Sequence, residues 1–97
     1  MQFEWDENKS KSNIKKHKIS FAEARTVFDD PLHISILDKR FDYFDERWIT
    51  FGATQSGKII AVGHLYFLAD DGDEHIRIIT ARKATKRECE QYEEINH

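Results

Sequence analysis

One cysteine and one proline are a thin allowance for 97 residues. Cys89 alone cannot close an internal disulfide, and a thiolate zinc site needs partners that it lacks. A small domain without such staples fits a reducing cytoplasm better than the secretory route. With only four glycines and one proline, the chain is neither collagenous nor of low complexity. The glycines are scattered and form no phosphate loop or dinucleotide fingerprint. No Ser-x-Gly elbow or Cys-His signature is present, which removes the case for a covalent nucleophile. The histidines, at 17, 33, 64, 75 and 97, include no close pair, so no metal site and no cofactor are expected. Asp70-Asp71-Gly72-Asp73-Glu74 lacks the spacing of a calcium loop. Long hydrophobic runs are missing as well. The longest, Ile59 to Ala69, is interrupted by His64, whereas a membrane helix needs roughly 20 apolar residues. The N-terminus shows no basic segment followed by an apolar one, so no signal peptide is expected.

What the chain does have is aromatics and segregated charge. Seven Phe, three Tyr and two Trp can fill the core of one small domain, expected to span 1–97. A net charge of −3 argues against a sequence-independent nucleic-acid coat, which is usually basic. The total conceals asymmetry. Lys9 to Lys18 and Arg82 to Arg87 are basic without acids, whereas Asp38 to Glu46 and Asp70 to Glu74 are acidic. An acidic protein can therefore still carry a cationic patch.

The pattern predicts an α+β fold. Phe3 to Trp5 reads as a short strand. Asp6 caps a helix running to about Lys16, largely exposed because Ile14 is its chief apolar residue. Ser20-Phe21-Ala22-Glu23 is a capping box, and Phe21, Ala24, Val27 and Phe28 form an apolar stripe at helical spacing. Asp29-Asp30-Pro31 ends that helix. Strands are expected at His33 to Asp38, Arg47 to Ala53, Lys58 to Leu68 and His75 to Ala81, from β-branched and aromatic content. Thr54 to Gly57 and Asp70 to Asp73 are the turns. In the last strand Ile76 and Ile78 should face one side, Arg77 and Ile79 the other. Thr85-Lys86-Arg87-Glu88 is a second capping box opening a final helix. Helices segregated from a meander of about four antiparallel strands make α+β.

Phe3-Glu4-Trp5-Asp6, Lys9, Asn13, Lys16-His17, Ser20-Phe21-x-Glu23-Ala24 and Val27-Phe28-Asp29-Asp30-Pro31 resemble the BrnT family of bacterial type II toxins. So do Glu46-Arg47-Trp48, Gly52 and Ile76-Arg77-Ile78-Ile79-Thr80-Ala81-Arg82-Lys83-Ala84-Thr85, with Glu88 and Tyr92 downstream. The resemblance covers nearly all of the chain. One departure is Lys18, where the family often has Gly. The resemblance implies a RelE-like fold, which here would be the antiparallel sheet packed by the two N-terminal helices, with a C-terminal helix. It also implies a metal-independent ribonuclease that arrests growth, and a BrnA antitoxin that binds DNA as a dimer. Direct partners would then be that antitoxin and RNA, with DNA reached only through the antitoxin and no membrane involved.

Metal-free RNA cleavage moves the 2′-hydroxyl onto phosphorus, which calls for a base, an acid and cations on the phosphoryl oxygens. Arg82 and Lys83 are the best cations, leaving a strand just before a capped helix whose amides also favour phosphate. Arg82 ranks first for its planar fork, although a basic run there is also what a solvated surface carries. Arg77, mid-strand among isoleucines, faces either solvent or substrate. His64 is a candidate acid or base, or a hydrogen-bonded strand histidine. Arg47 is a phosphate contact or an ion-pair partner. Tyr92 can donate to phosphate or stack on a base. Glu88, beyond its cap, can orient Arg82 or act as a base. Lys16, in the lysine cluster ending at His17, is a candidate RNA-backbone contact, though the helix dipole alone explains cations there. The competing function is a non-catalytic α+β module that binds a partner protein.

Overall fold

The computed structural model describes residues 1–39 and 46–95. Most of the acidic run Asp38 to Glu46 lies outside the described residues. The elements run β1 (Gln2–Glu4), α1 (Glu7–His17), α2 (Phe21–Arg25), β2 (Ile34–Leu37), β3 (Arg47–Ala53), β4 (Ile59–Leu68), β5 (Glu74–Lys83) and α3 (Lys86–Ile95). They build one five-stranded sheet in the order β1-β5-β4-β3-β2. β2 to β5 form the antiparallel meander, and β1 adds a fifth strand parallel to β5. The short strand expected at Phe3 to Trp5 is present at Gln2–Glu4, but the expected sheet of about four strands did not include it, because a three-residue strand carries no sign of which edge it joins.

Both predicted N-terminal caps form. Asp6 accepts the Asn8 and Lys9 amides at 2.8 and 3.3 Å, and Ser20 accepts the Glu23 amide at 3.0 Å. α1 is exposed apart from Ser10 and Asn13, so polar contacts hold it in place. Asn13 donates to the Ile19 and Ala81 carbonyls, both at 2.8 Å, and accepts the Ala81 amide at 3.2 Å. α1 ends at Lys18 in the left-handed conformation, φ 61°. α2 is shorter than its apolar stripe, because Thr26–Asp29 tightens into a 3-10 turn.

The core lies between these N-terminal helices and one face of the sheet. Ile19, Phe21, Ala24 and Val27 meet Ile60, Val62, Ile76, Ile78 and Ala81. Alternation sends the neighbouring residues to the opposite face, which is closed over Phe51 and Ala61, 1% and 2% exposed, and open along the rest of β4 and β5. One irregularity decides which they are. The register of β4 on β5 passes from Gly63 opposite Thr80 to His64 opposite Ile78, so Ile79 is an extra residue in a β-bulge. The bulge resets the alternation of β5. Arg77 and Arg82, an odd number apart, therefore share the open face, across from Leu65 and Ala61 respectively. Simple alternation from Arg77 would have turned Arg82 into the core.

Candidate active site

Arg82 lies within β5, not beyond its end as the sequence suggests. Its Nη1 and Nη2 donate to Glu88 Oε1 and Oε2 at 2.7 and 3.0 Å. The same carboxylate accepts the Thr85 amide at 2.8 Å, and the Thr85 hydroxyl accepts the Glu88 amide at 3.1 Å. The second capping box therefore forms, and its glutamate also clamps the arginine. The Arg82 hydrogen bonds hold Glu88 below its ordinary pKa; burial opposes them, and the Thr85 amide adds to them. Glu88 is thus ionised at neutral pH, and a two-point charged pair fixes the guanidinium plane.

Arg82 borders a small cleft of about 80 Å³ on the open face. Arg47 and Ile49 come from β3, Ala61 and Gly63 from β4, and Thr80 from β5; Asp38 closes one end. Gly63 forms the floor. A Cβ on it would lie 2.6 Å from Thr80 Cγ2, closer than real contacts allow, so any side chain would fill the floor. Asp38, 7% exposed, continues the β2–β3 ladder by donating its amide to the Arg47 carbonyl at 2.7 Å. Among the described residues lining the cleft, it is the one carboxylate. The sequence gives no signal for Asp38 beyond membership of an acidic run, because its place beside Arg47 comes from the pairing of β2 with β3.

The other candidates fall elsewhere. Arg77 is on the same face but about 15 Å of strand away, paired with Glu4 at 2.8 Å. Lys83 is exposed, and alternation points it away from Arg82. Lys16 belongs to α1, on the helical side of the sheet. His64 also lies on that side, 3% exposed. Burial lowers its pKa to about 4, against the Leu65 carbonyl bond, which raises it. The neutral ring accepts from the Thr50 hydroxyl at 2.7 Å, and Thr50 in turn meets the Ser35 hydroxyl at 2.7 Å. This makes His64 a satisfied core histidine on the face away from Arg82. Tyr92 does not meet Glu88. It donates to Asp30 Oδ2 at 2.6 Å, and that bond raises its pKa to about 12. Asp30 also accepts the Leu32 and Ala53 amides. Burial pushes the Asp30 pKa up, but the bonds from Tyr92 and the two amides outweigh it and leave it lowered. Tyr92 is thus an anchor for α3.

Larger hollows exist, but one of about 430 Å³ is lined by Asp29 and Asp30 beside Thr26 and Thr54, an acidic wall unsuited to phosphate. Among the described residues no group of three or more His, Cys, Asp or Glu converges as a metal site would require. No helix among them is long and apolar enough to cross a membrane.

The arrangement so far is two arginines, a carboxylate and a glycine-floored cleft on an open sheet face. Residues 5–88 match the family model for BrnT, the ribonuclease toxin of type II toxin-antitoxin systems. The chain belongs to the BrnT family. No curated protein matches it closely. The matched span contains the whole cleft and ends at Glu88, the residue that clamps Arg82. As a BrnT-family member the chain is a ribonuclease toxin with an antitoxin as its partner. Its fold is mixed α+β with a single five-stranded sheet.

Proposed function

We propose that this chain is a RelE-like cytoplasmic endoribonuclease that cleaves RNA without a metal ion and is neutralised by a BrnA-like antitoxin. The observation that carries the reading is the Arg82–Glu88 fork at the wall of the cleft shared with Arg47 and Asp38. Charge builds on the phosphoryl oxygens as the 2′-oxygen attacks phosphorus. A guanidinium already fixed in place stabilises that charge with little reorganisation. Asp38 is the group in the cleft suited to take the 2′-hydroxyl proton. As the bond from phosphorus to the 5′-oxygen breaks, that oxygen takes a proton from solvent water, and the proton on Asp38 is released to solvent to restore the carboxylate. The products are a 2′,3′-cyclic phosphate and a 5′-hydroxyl. Arg47 supplies the second cation, and Arg77 contacts backbone further along the strand.

Cleavage of a labelled RNA in EDTA, by wild type beside Arg82→Ala and Asp38→Asn, tests this. Wild type should cut, Arg82→Ala should lose at least about a hundredfold, the scale of a lost transition-state charge partner, and the ends should be cyclic phosphates. Cutting by both wild type and Arg82→Ala would move the site elsewhere. The competing reading is a non-catalytic protein-binding module. It draws support from the edge strand β2, where Ile36 and Leu37 are 46% and 42% exposed, and it predicts no new RNA ends at any protein concentration.

A further inference from the structure

The open face continues past the Arg82 cleft toward the β4–β5 turn. There Phe67 and His75 are direct cross-strand partners and stack with ring centroids 5.1 Å apart and planes 19° from parallel. Phe67 remains 41% exposed, so this stack is at the surface and outside the core. Glu4 of β1 holds the neighbourhood together, with Oε1 3.6 Å from His75 Nδ1 and Oε2 2.8 Å from Arg77 Nη1. Phe67, His75 and Arg77 lie on the same side as Arg82 because of the bulge at Ile79. From His75 to Arg82 the strand covers roughly 20 Å, with Arg77 between them.

We propose that Phe67 stacked on His75 is a platform for an unpaired base of the RNA, a second subsite displaced along the sheet from the cleft. This rests on the ribonuclease reading above and adds the path of the substrate. An aromatic surface beside a cation is how single strands are held without sequence preference: the ring takes a base and the cation takes the backbone. Here the order along β5 is stack, Arg77, Arg82, so a strand lying along the face meets aromatic, cation and cleft in turn. The subsite selects single-stranded RNA, because a base in a duplex presents no free ring face.

The test uses two 2′-O-methyl oligonucleotides, which bind but lack the nucleophile: a short one filling only the cleft and a longer one reaching Phe67. Binding is measured by fluorescence anisotropy for wild type, Phe67→Ala, Phe67→Leu and Phe67→Trp. Phe67→Ala and Phe67→Leu should lose about tenfold or more for the longer RNA, the range of one lost base stack, and nothing for the short one. Phe67→Trp should keep the affinity, and its added emission should be quenched on binding. Unchanged affinity of both Phe67→Ala and Phe67→Leu for the longer RNA overturns the platform. Loss of antitoxin binding with RNA affinity intact overturns it as well and assigns the tip to the antitoxin. If those variants match wild type while Arg82→Ala no longer cleaves, only the platform fails. If wild type neither binds nor cleaves RNA, the ribonuclease reading fails and takes the platform with it.

Discussion

At the residue scale, two positions carry costs that a substitution can read out. Lys18 has φ 61° at the end of α1, where a Cβ is disfavoured and Gly is the usual occupant. Lys18→Gly should stabilise the protein by about 0.5–1 kcal/mol, read as a higher urea midpoint with an unchanged slope. His64 gives a pH signature. Its folded pKa of about 4 lies below the roughly 6.5 of an unfolded histidine. Between those values the unfolded chain binds more protons, so stability is full above about pH 6.5 and falls as pH drops toward 4. The complete loss is about 3 kcal/mol. Urea melts from pH 7 to 4.5 should show this slope, and His64→Gln, which keeps an acceptor for Thr50, should flatten it. A slope that survives the substitution would show that another group causes it.

At the element scale, α3 is held largely by polar contacts. It has no buried residue, and polar bonds at Arg82–Glu88 near its start and at Tyr92–Asp30 one turn further on tie it to the body. Removing the Tyr92 hydroxyl leaves Asp30 with its two backbone donors. Tyr92→Phe should therefore cost about 1–2 kcal/mol and raise amide exchange in α3 before the sheet. Glu88→Gln keeps an acceptor for the Thr85 amide but loses the charged fork. Its expected effect is a larger drop in RNA cleavage than in stability; equal drops would make Glu88 a cap and nothing more. Local chemistry made the caps at Asp6, Ser20 and Thr85 legible in the sequence, and likewise the bounds of β3, since capping and β-propensity act within a few residues. The bulge at Ile79 was not legible, because it exists only in the pairing of β4 with β5. The partner of β1, the place of Asp38 beside Arg47 and the separation of His64 from Arg82 were hidden for the same reason. Each depends on which residues face each other across strands far apart in sequence.

At the scale of the whole molecule, the two faces of the sheet divide the work. The helical face holds Phe21, Val27, Ile60, Val62 and Ile78 almost without exposure and accounts for most of the apolar burial. The open face carries the arginines and the cleft. Substitutions at these core residues and at the exposed residues of the open face should then separate, one set lowering stability and the other lowering cleavage. Gly63 tests that division where it is narrowest, because it sits on the open face but in the middle of a central strand. In Gly63→Ala the new Cβ meets Thr80 Cγ2 at 2.6 Å, and β4 and β5 must part or Thr80 must turn into the cleft. A cost of about 1–3 kcal/mol is expected from such overpacking, with a fall in RNA cleavage beyond what the unfolded fraction explains. Thr80→Ser removes the clashing methyl and keeps the hydroxyl. In the double variant Gly63→Ala/Thr80→Ser, stability and cleavage should both recover toward wild type, a coupling measurable as a double-mutant cycle. Recovery of stability without cleavage would show that the floor needs to be empty for substrate and that close strand approach is a separate matter. Recovery of neither would mean that Gly63 is needed for its backbone and that the cleft is not shaped by this contact.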